Sequence, residues 1–188
     1  AGKTSLINRL LAEDHGLRLM IMVNDFGAIN IDEALLESSS EDTMTLTNGC
    51  VCCSLGNSLV SALGAALDRS PRPDHLIIEA SGIADPASIA SMAKAEPEMS
   101  YGGIVTLVDD MEFPALAGDD LIGPQITKQV SAADLVLISK TDKPSLELLD
   151  QLSSISNAPI FAAQDLPDLG QLIFGVEGRT PHTYTKLQ

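Results

Sequence analysis

Apolar runs about as long as a β-strand recur along this sequence, and they constrain its fold more than any other feature. A strand that is apolar at nearly every position is buried on both faces. Such strands, separated by helices, form a parallel sheet that helices cover on both sides. The sequence therefore predicts an α/β fold with a doubly wound, mostly parallel sheet. The runs are LRLMIMV (17–23), HLIIEA (75–80), GIVTLV (103–108) and DLVLIS (134–139), with TMTLT (43–47) and PIFA (159–162) as shorter candidates.

Amphipathic segments separate these runs. Leucine and isoleucine recur at helical spacing from Leu6 onward, and Gly16 stands where we expect that helix to end, because glycine accepts the left-handed conformation there. Ser54 is predicted to cap a helix that reaches Arg69. Three further helices are predicted over 86–94, 124–133 and 144–155, and each of them begins with a proline.

Acidic residues outnumber basic ones, which narrows the choice of partners. Asp and Glu number 26 against 11 Lys and Arg, so the formal net charge is −15. Such a surface repels phosphate backbones, and four Phe and two Tyr leave little aromatic surface for stacking on bases. We therefore expect no nucleic-acid partner. No apolar run reaches the ~18 residues of a membrane span, so no membrane partner is expected either.

The chain opens with AGKTS, the final part of a phosphate-binding loop of the form G-x-x-x-x-G-K-[ST]. In such a loop, the glycine lets the backbone approach phosphate oxygens, the lysine reaches the β- and γ-phosphates, and the hydroxyl holds Mg²⁺. We predict these roles for Gly2, Lys3 and Thr4, and we include Ser5 among the nucleotide-binding residues. The earlier part of the pattern precedes residue 1.

The stretch SKTD (139–142) directly follows the apolar run DLVLIS and has the form of a guanine-recognition element. An aspartate can accept two hydrogen bonds from the N1–H and 2-amino groups of guanine, whereas adenine offers no such pair of donors. Asp142 is therefore the predicted guanine reader, with the stem of Lys140 over the base plane. Ser139 occupies the first position of the element, where asparagine is usual.

Other polar residues follow the predicted strands, at the edge where ligands of open α/β sheets bind. Glu79 ends the run HLIIEA, where an acid can orient the Mg²⁺ shell or a water molecule. Asp25 lies in the turn NDFG after the first run and is a candidate for the same neighbourhood. Asp109 follows GIVTLV, and we expect it to be structural, capping the helix that comes next.

All three cysteines lie within the stretch NGCVCCS (48–54). They could form a strained disulfide, pack as small apolar side chains, or bind a metal ion. Disulfides between cysteines this close are rare, and packing alone needs no adjacency. Three thiolates on a turn can converge on a cation such as Zn²⁺, so we favour a metal site made by Cys50, Cys52 and Cys53. No fourth ligand is evident. Three cysteines form no disulfide framework, which favours a reducing compartment, and we expect the cytoplasm.

Taken together, these residues resemble the CobW-like family of P-loop GTPases, which are metallochaperones related to the GTPases of hydrogenase and urease maturation. The matching segments are GKT (2–4), VNDFG (23–27), NGCVCCS (48–54), EASGIADP (79–86), VTLVDD (105–110) and SKTD (139–142). The resemblance covers essentially the whole chain. It implies a P-loop NTPase fold of the SIMIBI type. It differs at Asp25, where the family usually has glutamate, and at Ala28, where a second acid is common.

The resemblance also implies an activity: Mg²⁺-dependent GTP hydrolysis, coupled to delivery of a transition metal such as Zn²⁺ or Co²⁺ to a client metalloprotein. It implies that Lys3, Glu79 and Asp25 serve catalysis, that Thr4 and Glu79 hold Mg²⁺, and that the three cysteines carry the cargo metal. We expect the GTPase domain to span 1–178. Residues 179–188 would then form a linker toward a C-terminal domain outside this sequence.

Two other interpretations stay open at this stage. One is a metal-binding or storage module on a P-loop scaffold that no longer uses nucleotide. It predicts no GTP turnover and no effect of the substitution Lys3→Ala. The other is a small-molecule kinase of the same fold, which would prefer ATP and would leave Asp142 without its predicted role.

Overall fold

The computed structural model describes residues 2–24, 43–46, 55–80, 82 and 84–175. The chain divides into two compact units. Among the described residues, the first unit holds 2–13, 85–90 and 102–175, and the second holds 14–24, 43–46, 55–80, 82, 84 and 91–101. Each unit is built around its own parallel sheet.

Helices and strands alternate along most of the described chain, as the apolar runs predict. In order they are α1 (Lys3–Ala12), β1 (Leu19–Asn24), β2 (Thr43–Leu46), α2 (Leu55–Leu67), β3 (His75–Glu79), α3 (Pro86–Lys94), β4 (Val105–Asp109), α4 (Phe113–Ala117), α5 (Gly123–Ser131), β5 (Leu135–Ser139), α6 (Leu146–Ile155), β6 (Ile160–Ala162) and α7 (Leu169–Phe174). No helix of the described ranges is both long enough and apolar enough to cross a membrane.

The sheet of the second unit has the strand order β2-β1-β3, and both of its strand pairs are parallel. In the β1–β3 pair, Leu19 lies opposite His75 and Val23 lies opposite Glu79. Met20 and Met22 of β1 are fully buried, which is the burial that an apolar central strand requires. The core of this unit also contains Leu59, Leu63, Ala66 and Leu67 of α2.

The sheet of the first unit has the order β4-β5-β6, again with parallel pairs. Asp109 at the end of β4 lies opposite Ser139 at the end of β5. The central strand β5 is buried over Leu135–Ile138, and only Ser139 is partly exposed. Strand residues from one face of the sheet and residues of the neighbouring helices form one core cluster: Val108, Phe113, Val130, Val136, Ile138, Leu148 and Leu152.

Predicted helix boundaries differ from the observed ones at several helices: α2 ends at Leu67 rather than at Arg69, and α5 spans Gly123–Ser131 rather than 124–133. Gly16 has the left-handed conformation that was expected (φ 70), but α1 ends at Ala12, because Glu13 is extended and its backbone N–H bonds the carbonyl of Arg9. Helix α6 begins at Leu146 rather than at Pro144. The hydroxyl of Ser145 accepts a hydrogen bond of 3.1 Å from the backbone N–H of Leu148, and this N-cap sets the start.

Candidate nucleotide-binding site

The start of α1 has the geometry that a phosphate-binding loop requires. Gly2 has a φ of 86, which side-chain-bearing residues rarely adopt, and the helix begins at the next residue. The first helical hydrogen bond runs from the N–H of Leu6 to the carbonyl of Gly2, over 3.0 Å. Within the described residues, no side chain caps this end, and its first turn contains no acidic residue. The first N–H groups of α1 therefore remain available to an anion.

The side chains of this first turn are also available. Lys3 and Thr4 are partly exposed and Ser5 is exposed, and none of the three side chains forms a hydrogen bond or ion pair within the ranges that the structure describes. An ammonium, two hydroxyls and free N–H groups suit triphosphate oxygens and Mg²⁺.

The predicted guanine-recognition element follows β5 in the same unit. The hydroxyl of Ser139 bonds the carbonyl of Val108 over 3.2 Å, and the hydroxyl of Thr141 accepts a hydrogen bond from the N–H of Lys143 over 3.1 Å. These two hydrogen bonds stabilise the conformation of the turn. Asp142 is exposed, and its carboxylate has no partner in the described part of the chain. It is therefore free to accept donors from a ligand.

Lys140 is the one described residue other than glycine with a positive φ, at 65. Its ammonium nitrogen lies 2.5 Å from Oδ2 of Asp109, whose side chain is 3% exposed. Apart from this ion pair, Oδ2 has no hydrogen-bond partner among the described residues, so the Lys140 charge is what offsets its burial. The contact with Lys140 lowers the pKa of Asp109 and raises the pKa of Lys140.

Asp109 also shapes the turn that follows β4. Its Oδ1 accepts a hydrogen bond of 3.1 Å from the N–H of Met111. We expected Asp109 to cap the next helix. That prediction is wrong in detail, because α4 begins at Phe113 with Glu112 at its N-cap. Asp109 instead closes the turn before that helix.

Two residues near the C-terminal end of α1 fasten the segment after β6. The guanidinium of Arg9 donates a hydrogen bond of 2.6 Å to the carbonyl of Ala163 and another to that of Leu166. The carboxylate of Glu13 accepts bonds from the N–H groups of Leu169 and Gly170, at 3.2 and 2.6 Å. The helix that begins at the phosphate-binding residues is therefore tied to the segment beside the guanine-recognition element.

Sequence reasoning did not find the contacts of Asp109, Arg9 and Glu13, and no spacing signal could have revealed them. The contacts Asp109–Lys140, Arg9–Leu166 and Glu13–Gly170 join residues that are 31, 157 and 157 positions apart in the chain. A local pattern is blind to such pairs. Once the strand pairing is known, the Asp109–Ser139 register alone brings Asp109 and Lys140 close.

Glu79, the predicted Mg²⁺-side acid, belongs to the second unit. It ends β3, is 8% exposed, and lies opposite Val23 of β1. Asp25, Cys50, Cys52 and Cys53 lie outside the described residues, so their predicted roles stay predictions. Within the described ranges, no group of three or more His, Cys, Asp or Glu side chains could hold a metal ion.

Comparison with known proteins decides the family. The model of the family described as CobW/HypB/UreG, nucleotide-binding domain, matches residues 1–158. The chain belongs to the CobW/HypB/UreG family. This result confirms the resemblance inferred from the sequence, and it makes this part of the chain a nucleotide-binding domain of a GTPase and metallochaperone family.

Among curated members of the family, the zinc chaperone YjiA of Escherichia coli is 34% identical over 191 residues, which cover 95% of this chain and 58% of YjiA. A zinc-regulated GTPase metalloprotein activator of Dictyostelium discoideum is 36% identical over 181 residues, covering 88% of this chain and 38% of that protein. The chain thus spans roughly half the length of these relatives.

Solved structures of the family confirm the α/β fold. The crystal structure of Zn(II)-bound YjiA GTPase matches with a TM-score of 0.64 at 24% identity, and the match covers 100% of this chain and 63% of that one. HypB from Helicobacter pylori, in complex with nickel, matches with a TM-score of 0.56 at 18% identity, covering 86% and 72%. At these identities the likeness establishes the P-loop GTPase fold alone.

Proposed function

We propose that this protein is a Mg²⁺-dependent GTPase of the cytoplasm that binds a transition metal through its CxCC motif and delivers the metal to a client protein. The observation that supports the proposal is that the two predicted ends of a guanine-nucleotide site lie in one compact unit. Its phosphate end is the uncapped helix start at Gly2 and Lys3, and its base end is the unpartnered carboxylate of Asp142.

The connection between these ends supports a single ligand. A Cβ placed on Gly2 would lie 3.9 Å from Cδ2 of Leu107, so the helix start lies beside β4. In turn, β4 pairs with β5, whose end carries the guanine-recognition element. In parallel sheets, ligands bind at the carboxyl ends of neighbouring strands, which is where residues 139–142 lie.

The residue roles follow from these chemistries. Lys3 and the first N–H groups of α1 would bind the phosphates, with Ser5 beside them, and the hydroxyl of Thr4 would hold Mg²⁺. Glu79 and Asp25 are proposed to act on the Mg²⁺ side of the reaction. Cys50, Cys52 and Cys53 are proposed to bind the cargo, with Zn²⁺ favoured because relatives are named zinc chaperones.

Hydrolysis is tested with protein that carries the complete G-x-x-x-x-G-K-[ST] loop. We expect GTP turnover that requires Mg²⁺, and we expect Lys3→Ala to abolish it, because phosphate charge is then left without its cation. Lys143→Ala is the matched control, because Lys143 is an exposed lysine of the same unit outside the proposed machinery. Metal binding with no turnover in the unaltered protein would favour the storage module instead.

Coupling between metal and nucleotide is a separate measurement. Zn²⁺ and Co²⁺ are titrated with and without a non-hydrolysable GTP analogue, using Cys52→Ser as the metal-site control. Linkage requires that metal tighten nucleotide binding by the same factor by which nucleotide tightens metal binding. Equal metal affinities with and without the GTP analogue would contradict coupling between metal and nucleotide, and they would leave the GTPase assignment intact.

A further inference from the structure

The carboxylate of Asp109 is the most deeply buried charged group of the described residues, and the proposed reaction gives it no role. Its residue is 4% exposed, compared with 8% for Asp74 and Glu79. One of its oxygens closes the turn at Met111, and the other meets the ammonium of Lys140. Burying a charge is costly unless a partner of opposite charge compensates it. The turn at Met111 accounts for one oxygen of Asp109, but it does not explain why the other oxygen is buried against Lys140.

Lys140 is held in an unusual way at this contact. Lysine side chains ordinarily bury their methylene stem and leave the ammonium in water. Here the ammonium lies against a carboxylate that is 3% exposed, while the Lys140 side chain as a whole is 53% exposed. The Lys140 side chain is therefore held at its ammonium end while about half of its surface stays accessible to a ligand. The positive φ of Lys140, at 65, fixes the backbone from which this stem projects.

We propose that Asp109 is a positioning residue of the guanine site, which acts by anchoring the ammonium of Lys140 so that the methylene stem forms a fixed apolar surface for the purine ring. The inference rests on the proposed function, because it needs a guanine nucleotide at residues 139–142. Because the ion pair with Asp109 orders the methylene stem before the nucleotide binds, little side-chain entropy is lost when the base packs against the stem.

This arrangement divides the recognition of the base between two acids. Asp142 accepts hydrogen bonds and so distinguishes guanine from other bases. Asp109 acts through the methylene stem of Lys140, which forms no hydrogen bonds, so Asp109 strengthens binding of the nucleotide without discriminating between bases. The two residues should consequently differ in their effects on affinity and on specificity, which a merely structural ion pair would not produce.

The test measures the dissociation constants of GDP and XDP, the xanthine analogue, in protein with the complete phosphate-binding loop. We expect Asp109→Asn to weaken GDP and XDP binding by the same factor, about tenfold, by freeing the Lys140 side chain. Asp110→Asn is the matched control, since it removes the same charge one position later. The Asp110 carboxylate has no partner within the described ranges. Wild-type affinity is expected for this control.

A double-mutant cycle shows whether Asp109 acts through Lys140. We expect Lys140→Met to weaken GDP binding, and we expect Asp109→Asn to cause no further loss in the Lys140→Met background. Additive losses would overturn the inference, and so would wild-type affinity in Asp109→Asn. If Asp109→Asn alone does not fold, the double variant, which contains no buried unpaired charge, is compared directly with the unaltered protein. Equal losses of GDP and XDP affinity are then expected, and wild-type affinity or a loss for one nucleotide only would overturn the inference.

Failure of the proposed function gives a different result. In that case the unaltered protein itself does not bind GDP in preference to ADP, and both proposals are overturned together. If the unaltered protein binds GDP and only the Asp109 series departs from expectation, the GTPase assignment stands and the positioning role alone is overturned. Thermal unfolding of each variant confirms that the affinities refer to folded protein.

Discussion

The guanidinium of Arg9 donates a hydrogen bond to the carbonyl oxygen of Ala163, a residue 154 positions later in the chain. Its second bond, to Leu166, and the Glu13 contacts with Leu169 and Gly170 make α1 the anchor of the segment after β6. Because α1 begins at the phosphate-binding residues, these bonds between side chains and main-chain groups tie the phosphate end of the proposed nucleotide site to the segment after β6.

Removal of the Arg9 side chain should therefore destabilise the protein. Hydrogen bonds that involve a charged group contribute about 1.5–3 kcal/mol each, so we expect Arg9→Ala to lower the free energy of unfolding by about 2–4 kcal/mol. Urea denaturation measures the change. Asn8→Ala is the control on the same helix, since its side chain has no partner in the described part of the chain. Equal effects of both substitutions would contradict the anchoring role.

Acid stability should depend on Asp74 of the second unit. Its carboxylate accepts three hydrogen bonds from Arg18, at 2.9, 3.1 and 3.0 Å, and these lower the pKa of Asp74. A carboxyl with a lowered folded-state pKa contributes stability above its unfolded pKa of about 3.9, and this stability is lost as pH falls through the folded value. We expect Asp74→Asn to remove that part of the pH dependence.

Urea unfolding at neutral pH and at about pH 3 measures the effect, because the unfolded carboxyl protonates between these values. The gap in stability between wild type and Asp74→Asn should be large at neutral pH and should shrink in acid. Asp68→Asn is the matched control, because Asp68 is exposed and its carboxylate has no partner in the described ranges. A gap that is unchanged at low pH would rule out the Arg18–Asp74 contribution.

Two glycines should respond in opposite directions to alanine. A Cβ on Gly123, at the start of α5, would lie 2.5 Å from the carbonyl oxygen of Ala117, so the backbone would have to move. We expect Gly123→Ala to destabilise by about 1–3 kcal/mol. Gly64 lies inside α2 with nothing within 4 Å of its added Cβ. Alanine there should stabilise by about 0.5–1 kcal/mol.

Thermal and urea unfolding of the two variants, Gly123→Ala and Gly64→Ala, provide this comparison. The chemical change is identical, so any difference between them reports the surroundings alone. Destabilisation in both would show that α2 does not tolerate a methyl group at Gly64. A neutral result at Gly123 would mean that the turn before α5 relaxes freely.

Base preference should follow Asp142. Its carboxylate can accept both the N1–H and the 2-amino group of guanine, whereas an asparagine amide can donate to the 2-oxygen of xanthine. We expect Asp142→Asn to weaken GDP binding about 100-fold and to favour XDP, since an unpaired buried polar group is costly. Competition of the two nucleotides against a fluorescent analogue measures the preference. An unchanged preference would remove Asp142 from the base site.

The parts of the fold set by local pattern could be predicted from the sequence, and the others could not. The apolar runs located β1 and β3–β5 to within a few residues, and helix α3 has the predicted bounds. The bounds of α4 and the presence of α7 were not predicted, because five and six residues are too few to show helical periodicity.

The candidate site divides in the same way. Residues that need a particular chemistry at a fixed spacing, such as Gly2, Lys3 and Asp142, carry that requirement in the sequence itself. The partner of Lys140 was not predictable, because Asp109 meets it only after β4 and β5 pair. The register of a parallel sheet is a tertiary property, and an isolated motif contains no information about it.

The left-handed backbone of Lys140 has a consequence for the evolution of this protein. Glycine would relieve the conformational cost at position 140. It would also leave the buried carboxylate of Asp109 without its compensating charge, and an uncompensated buried charge costs more than one left-handed backbone conformation. Stability and ligand recognition therefore both favour a lysine at this position, despite the backbone conformation that it has to adopt.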